Sequence, residues 1–333
     1  MRCLAFEQHW RHAGGHSVFV TCMNTPSIKA RLQLEGIETI QLPINPGSID
    51  DAKQTINLAK KTSASWIVVD GYHFDSNYQQ IIKDSGLNLL LIDDNGSAVH
   101  YYADILLNQN VHADENLYSS REPFTCLLLG TRYALLREEF LRWQGWKREI
   151  PETARNLLVT LGGSDPENVT QKVIQAINQT KFNNLNVIIV AANNQYYEEL
   201  ESEVQKSKVT IKLKRNVLSM SDLMAWADMA VSAGGTSTWE LAFMGLPMLT
   251  IAIADNQCQI VEELSKAGVA LNLGWHQNTT SFGIAKVISK LLEDVGMRAE
   301  MSRRGQILVD GKGADRVLAQ IKRVHSQCKE KIL

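Results

Sequence analysis

Long apolar runs are missing from this 333-residue chain. No stretch of about 18 apolar residues is present to span a bilayer as a helix. Paired cysteines are missing too. Cys3, Cys22, Cys126, Cys258 and Cys328 are odd in number, far apart and without C-x-x-C spacing. That removes a zinc-ribbon or dithiol redox reading and leaves reduced thiols with no catalytic part. The chain has no excess of basic charge, since its formal net charge is −2 and its Lys and Arg residues are scattered, so no nucleic-acid partner is expected. Met1-Arg2-Cys3-Leu4-Ala5-Phe6-Glu7 has neither a charged lead nor an apolar stretch. The expectation is a cytoplasmic protein without a secretory signal or stable membrane association. Short-period repeats and low-complexity segments are also absent.

What is present is the composition of a globular protein, 44% hydrophobic and 21% charged. A chain of this length exceeds one ordinary hydrophobic core, which predicts two domains. From His16 onward, short β-branched runs alternate with amphipathic segments. Ser17–Cys22, Trp66–Asp70, Leu87–Asp93 and Ile105–Asn108 read as strands, and Asp51–Lys61 and Asp75–Ser85 as helices. The pattern restarts after Pro151, with strands expected at Asn156–Leu161, Asn186–Val190, Thr210–Leu213, Met229–Ala233 and Met248–Ile253. Alternation of this kind predicts an α/β protein of two doubly wound, Rossmann-like domains. The charged, Trp-containing stretch Arg137–Pro151 reads as the linker. The expected domains are residues 1–145 and 146–333, with the last helix packing back on the first domain. A ligand is expected in the cleft between such halves, where strand carboxyl ends converge.

The most informative stretch runs from Met229 through Ser232-Ala233-Gly234-Gly235-Thr236-Ser237-Thr238-Trp239-Glu240 to Pro247. It reads as a buried strand passing through a Gly-Gly turn into a helix. Gly234 and Gly235 let a ligand approach the backbone. Thr236, Ser237 and Thr238 offer hydroxyls and unpaired N–H groups at a helix N-terminus, where a phosphate is favoured. Glu240 is placed to accept hydrogen bonds from ribose hydroxyls, or to close a capping box with Ser237. Asn256 and Gln257 end a strand at the same sheet edge and offer carboxamides to a sugar or phosphate, or make an Asx turn. Leu161-Gly162-Gly163-Ser164-Asp165-Pro166 is a second strand-turn-helix junction, with Gly163 and Ser164 as ligand contacts or Asp165-Pro166 as a helix start.

In the first half, Val69-Asp70-Gly71-Tyr72-His73 and Ile92-Asp93-Asp94-Asn95-Gly96 both close strands, and Tyr72 is the expected participant. Asp93-Asp94 reads as a turn-forming pair, because adjacent residues diverge and no third acidic ligand accompanies them. No metal or other cofactor is expected. His9, His12 and His16 read as surface or packing residues.

Met1-Arg2-Cys3-Leu4-Ala5, Ile92-Asp93-Asp94, Ala103-Asp104-Ile105-Leu106-Leu107-Asn108-Gln109, Leu129-Gly130-Thr131-Arg132-Tyr133-Ala134-Leu135-Leu136-Arg137, Leu161 to Pro166, and Ser232 to Gln257 share a further property. Together they resemble, nearly end to end, the UDP-sugar hydrolase family of pseudaminic-acid biosynthesis. That family is similar in fold to the peptidoglycan N-acetylglucosaminyltransferase of the GT-B group. The resemblance implies a UDP-sugar substrate. It implies hydrolysis of UDP-2,4-diacetamido-2,4,6-trideoxy-β-L-altropyranose, with water attacking the anomeric carbon, UDP leaving and inversion at that centre. It also implies that Tyr72 and Asn256 assist catalysis and that Gly234, Gly235, Thr236, Ser237 and Glu240 hold the nucleotide. In the family, a first strand and a Gly-x-Gly-His loop carrying the proposed base precede the Met-Arg-Cys motif, whose Met corresponds to Met1. The expectation is therefore that the first strand of the N-terminal domain is missing from this chain and that the natural start lies upstream. The alternatives are a sugar-nucleotide-binding protein with lost catalysis, or a GT-B glycosyltransferase using the same donor site.

Overall fold

A computed structural model describes residues 1–22, 26–163, 165–191, 194–215 and 217–330. The chain forms two compact units, one of Met1–Glu138 with Lys312–Leu333 and one of Glu139–Gly311. In chain order, the first unit holds α1 (Arg2–His12), β1 (Val18–Thr21), α2 (Pro26–Leu34), β2 (Glu38–Gln41), α3 (Ile49–Lys61), β3 (Trp66–Asp70), α4 (Ser76–Asp84), β4 (Asn88–Ile92), β5 (Ile105–Asn108) and β6 (Cys126–Leu129). After the short helix α5 (Glu138–Leu141), the second unit follows with β7 (Asn156–Thr160), α6 (Val169–Gln179), β8 (Asn186–Val190), α7 (Tyr197–Gln205), β9 (Thr210–Lys214) and α8 (Met220–Trp226). It continues with β10 (Met229–Ala233), α9 (Ser237–Phe243), β11 (Met248–Ala252), α10 (Cys258–Lys266), β12 (Ala270–Trp275), α11 (Ser281–Glu293) and α12 (Val295–Leu308). The last helix, α13 (Gly313–Glu330), belongs to the first unit.

The second unit is a six-stranded parallel sheet in the order β12-β11-β10-β7-β8-β9. This is the doubly wound order, reversing between β7 and β10. Central strands β10 and β11 are buried along their whole length, in keeping with their predominantly apolar sequences and cover on both faces. Edge strand β9 alternates, with Thr210, Lys212 and Lys214 exposed; lysines there discourage pairing with another chain.

The first unit departs from the single sheet that the alternation suggests. Strands β3-β4-β5-β6 form one parallel sheet, while β1 pairs with β2 in a separate two-stranded one. β2, β6 and β12 carry no strong sequence signal because they are short or mixed in polarity. Helices α3 and α4 start where local chemistry dictates, with Ser48 accepting from Asp51 N and Asp75 from Tyr78 N. Apolar residues of α1 and α13, including Ala5, Phe6, Ala314, Val317 and Ile321, pack with Leu90, Ile92, Ile105 and Leu107 of the sheet. No helix among the described residues is long and apolar enough to cross a membrane.

Two arginines, one half-buried and one fully buried, fasten the second unit's irregular segments. Arg148 donates to the carbonyls of Met224 (2.6 Å), Ala227 (2.5 Å) and Met244 (3.1 Å). Burial pushes its pKa down to about 10, against the opposing charge of Asp228. Arg298 is fully buried and donates to Leu291 O (2.5 Å), Leu292 O (2.7 Å), Pro151 O (2.5 Å) and Glu152 O (3.0 Å). It ties the entry of the unit to the end of α11. Replacing it strands several carbonyls away from water. Arg298→Met is expected to destabilise the protein by about 2–4 kcal/mol in urea unfolding.

Candidate functional site

Adjacent strands β7 and β10 pair in register, Thr160 beside Ser232. Both therefore release their chains side by side at the carboxyl edge, where the strand order reverses. β7 leads into Gly162-Gly163 and β10 into Gly234-Gly235. The two glycine pairs differ in what surrounds them. Gly162 lies in the left-handed region at φ +89°, and neither Gly162 nor Gly163 has any atom near the position of a Cβ. Gly234 is required by packing, since a Cβ there would meet Val261 Cγ1 at 2.5 Å and Gln257 Cβ at 3.1 Å. Gly235 faces open space.

The Gly-Gly turn continues into α9. The N-terminal residues of this helix present N–H groups that begin to find acceptors only at Thr238, which bonds Gly235 O at 3.0 Å, and Trp239, which bonds Thr236 O at 3.2 Å. Thr236 is exposed and Ser237 half-buried. Thr238 corrects the expectation of a ligand-facing hydroxyl: it is fully buried and its Oγ1 donates to Gly235 O at 2.6 Å. Its side chain shapes the turn. The Ser237–Glu240 capping box does not form, because Thr236 holds the N-cap position with no side-chain cap bond. Glu240 is half-buried in the first turn of α9.

Asn256 and Gln257 follow β11 in a tight turn, Asp255–Gln257. Asn256 is exposed, while Gln257 Oε1 accepts from Ile253 N at 3.0 Å. That bond makes Gln257 chiefly a turn-forming residue. The close approach of Gly234 to Gln257 brings this turn against the Gly-Gly turn. In the loop after β7, Ser164 lies outside the described residues. Asp165 is buried and accepts from Val169 N and Thr170 N (both 2.9 Å), Thr170 Oγ1 (2.6 Å) and Asn194 Nδ2 (3.4 Å). Its carboxylate caps α6, while Gly162 and Gly163 of the same loop have no described atom near a Cβ position.

In the first unit, Tyr72 is 55% exposed just beyond β3. The Asp93-Asp94 pair divides its work. Asp93 makes the turn, accepting from Asn95 N (2.8 Å), Gly96 N (3.3 Å) and Tyr101 Oη (2.6 Å). Asp94 instead receives both oxygens' bonds from Arg2 Nη1 at 2.7 Å, and Arg2 also grips Asp70 at 2.5 and 3.2 Å. Burial disfavours the charged guanidinium, but Asp70 and Asp94 more than reverse this and raise its pKa. The sequence reading passed over Arg2; its signal was two carboxylates closing neighbouring strands. Cys3 is pushed up to about 12 by burial and by the Asp70 charge, so it stays a protonated thiol at neutral pH. His9 is a packing residue, its Nδ1 2.9 Å from Ala5 O. Among the described residues no three His, Cys, Asp or Glu side chains gather as metal ligands. An open depression of about 410 Å³ beside β6, lined by Glu115, Arg121, Arg132 and Tyr133 among others, contains none of the candidate site residues.

Residues 157–317 match the Glycosyltransferase family 28 C-terminal domain. The chain is 26% identical over 259 residues to the Spore coat polysaccharide biosynthesis protein SpsG of Bacillus subtilis, covering 75% of this chain and 73% of that protein. It is 26% identical over 243 residues to the UDP-2,4-diacetamido-2,4,6-trideoxy-beta-L-altropyranose hydrolase of Campylobacter jejuni, covering 72% and 85%. The structure superposes on MurG of Acinetobacter baumannii with a TM-score of 0.69 at 15% identity, over 97% of this chain and 95% of that one. The resemblance to the UDP-sugar hydrolases is therefore borne out, and the fold is that of the GT-B proteins, with two Rossmann-like domains.

The unequal surroundings of Gly234 and Gly235 yield a test of their roles. Gly234→Ala should lower the melting temperature, because Val261 and the start of α10 must move. Gly235→Ala should leave it unchanged, as its Cβ enters open space.

Proposed function

We propose that this chain hydrolyses a UDP-activated 2,4-diacetamido-2,4,6-trideoxy sugar, releasing UDP and the free sugar with inversion, for nonulosonic acid biosynthesis. The observation that carries the reading is the similarity to the Campylobacter hydrolase. It covers 85% of that protein and is longer than either unit of this chain. It therefore extends beyond the nucleotide-binding half that hydrolases share with transferases.

The geometry of the second unit supports a nucleotide there. The diphosphate lies against the backbone N–H groups at Gly235, Thr236 and Ser237, with Gly163 giving room from the neighbouring strand. Glu240, not engaged in a capping box, accepts from the ribose hydroxyls. Asn256 donates to the phosphate or sugar, and Gln257 fixes the turn that presents it. Fixed dipoles of this kind stabilise charge that develops on the departing diphosphate. In the reaction, water attacks the anomeric carbon and loses its proton to a general base as the bond to the phosphate oxygen breaks. Tyr72 is the residue of the first unit assigned to assist that step.

Incubation with UDP-2,4-diacetamido-2,4,6-trideoxy-β-L-altropyranose should release UDP and the free sugar with inverted anomeric configuration, read by NMR. UDP binding without release would make the chain a nucleotide-sugar binder. Release only when an acceptor sugar or lipid is added would make it a transferase.

Two substitutions separate binding from turnover. Glu240→Ala should weaken UDP binding about tenfold by calorimetry, the loss of roughly one charge-assisted hydrogen bond. Tyr72→Phe should slow turnover while UDP affinity stays unchanged. Unaltered UDP affinity in Glu240→Ala would remove that residue from the site.

A further inference from the structure

Asp94 sits at the middle of three adjacent parallel strand ends. Tyr72 follows β3, Asp94 follows β4 and Asn110 follows β5. Its Oδ1 accepts from Arg2 Nη1 (2.7 Å) and Asn110 Nδ2 (2.6 Å), and its Oδ2 from Arg2 Nη1 (2.7 Å) and Tyr72 Oη (3.4 Å). The other edge of the guanidinium is closed by Asp70. The carboxylate is thus anchored on one side by an arginine and a buried asparagine, and turns its remaining capacity toward an exposed phenol.

The chemistry fixes the direction of that last contact. A carboxylate paired with a guanidinium is ionised and can only accept, whereas a phenol has one proton to give. With that proton turned toward Asp94, the outward side of the Tyr72 oxygen carries lone pairs alone. The 3.4 Å separation is longer than a closed O–H···O bond, and the exposed ring can close it by a small rotation.

We propose that Asp94, held in place by Arg2, is a positioning residue for Tyr72. It takes the phenol's proton inward, so that Tyr72 meets the sugar or the attacking water as a hydrogen-bond acceptor and not as an acid. The proposal rests on Tyr72 acting in the hydrolysis described above. It gives the Met1-Arg2-Cys3 segment a task that packing of α1 does not require, since Leu4, Ala5 and Phe6 supply the buried apolar surface there.

The test compares Asp94→Ala, the isosteric Asp94→Asn, Tyr72→Phe and the double variant Asp94→Ala/Tyr72→Phe. The substrate is UDP-2,4-diacetamido-2,4,6-trideoxy-β-L-altropyranose, and the NMR signals of ring-labelled tyrosine are followed in parallel. UDP affinity and melting temperature report folding. Asp94→Ala should lower kcat by roughly 10²-fold, as a misplaced catalytic group does, with UDP affinity unchanged. It should add no further loss in the Tyr72→Phe background. The Tyr72 ring signals, identified by their disappearance in Tyr72→Phe, should shift in Asp94→Ala and in Asp94→Asn, whose amide donates where the carboxylate accepted. Wild-type kcat with unmoved Tyr72 signals, or a full additional loss in the double variant, would overturn the proposal. Should Tyr72→Phe keep full turnover, the role of Tyr72 in hydrolysis falls. The ring signals then still decide whether Asp94 holds Tyr72, and if they do not move, the positioning fails as well.

Discussion

Parallel strands impose one constraint from which the rest of each unit follows. Every strand in such a sheet ends at the same edge, so each must be followed by a crossover that returns the chain to the opposite edge. The crossovers cover both faces, which is why β10 and β11 are buried at every position and apolar at all but Ser232 and Thr250. Loops that carry polar groups collect at the carboxyl edge. Gly162-Gly163, Gly234-Gly235 and Asn256-Gln257 leave strands β7, β10 and β11, which lie side by side in the second sheet.

That clustering brings together backbone N–H groups for which the described residues supply no acceptor between Gly234 and Thr238, and side chains there hold the loops in shape. Thr238, Gln257 and Asp165 each bond backbone groups of their own loop or the helix that follows it. The small or exposed residues of these loops, Gly163, Gly235, Thr236, Ser237 and Asn256, are the ones proposed to meet a ligand. Residues that a motif lists together thus divide into those that build the turn and those that face outward. Gly234 and Gly235 show the division most sharply, one filled against Val261 and the other open.

Buried and half-buried cations fasten the segments that sheets and helices do not. Among the described residues Arg148 and Arg298 form no ion pair and donate to backbone carbonyls, with Arg298 Nε alone left without an acceptor. Such groups remain charged inside a protein because several oriented carbonyls replace their hydration. Arg2 is held differently, by two carboxylates at neighbouring strand ends. The first two serve the linker and the helix ends, while Arg2 stiffens a polar edge next to Tyr72.

The amino-acid sequence by itself determined the class of fold, most central strands and the glycine turns, because these depend on periodicity and on local backbone freedom. Strands Trp66–Asp70, Asn186–Val190 and Met229–Ala233 have the bounds expected from the sequence. It did not reveal β2 and β12, whose segments are of mixed polarity, or the four-residue β6; these become strands only through a neighbour's hydrogen bonds. Nor did it reveal that Val18–Thr21 pairs with Glu38–Gln41 apart from the four-stranded sheet. In the candidate loops, the pattern singled out Gly234, Gly235, Glu240 and Asn256 but could not tell a buried Thr238 from an exposed Thr236, nor separate Asp93 from Asp94. Those distinctions belong to tertiary structure. Which way a hydroxyl or carboxylate turns is decided by partners such as Arg2 and Asn110, distant in sequence and adjacent only once the strands lie in order.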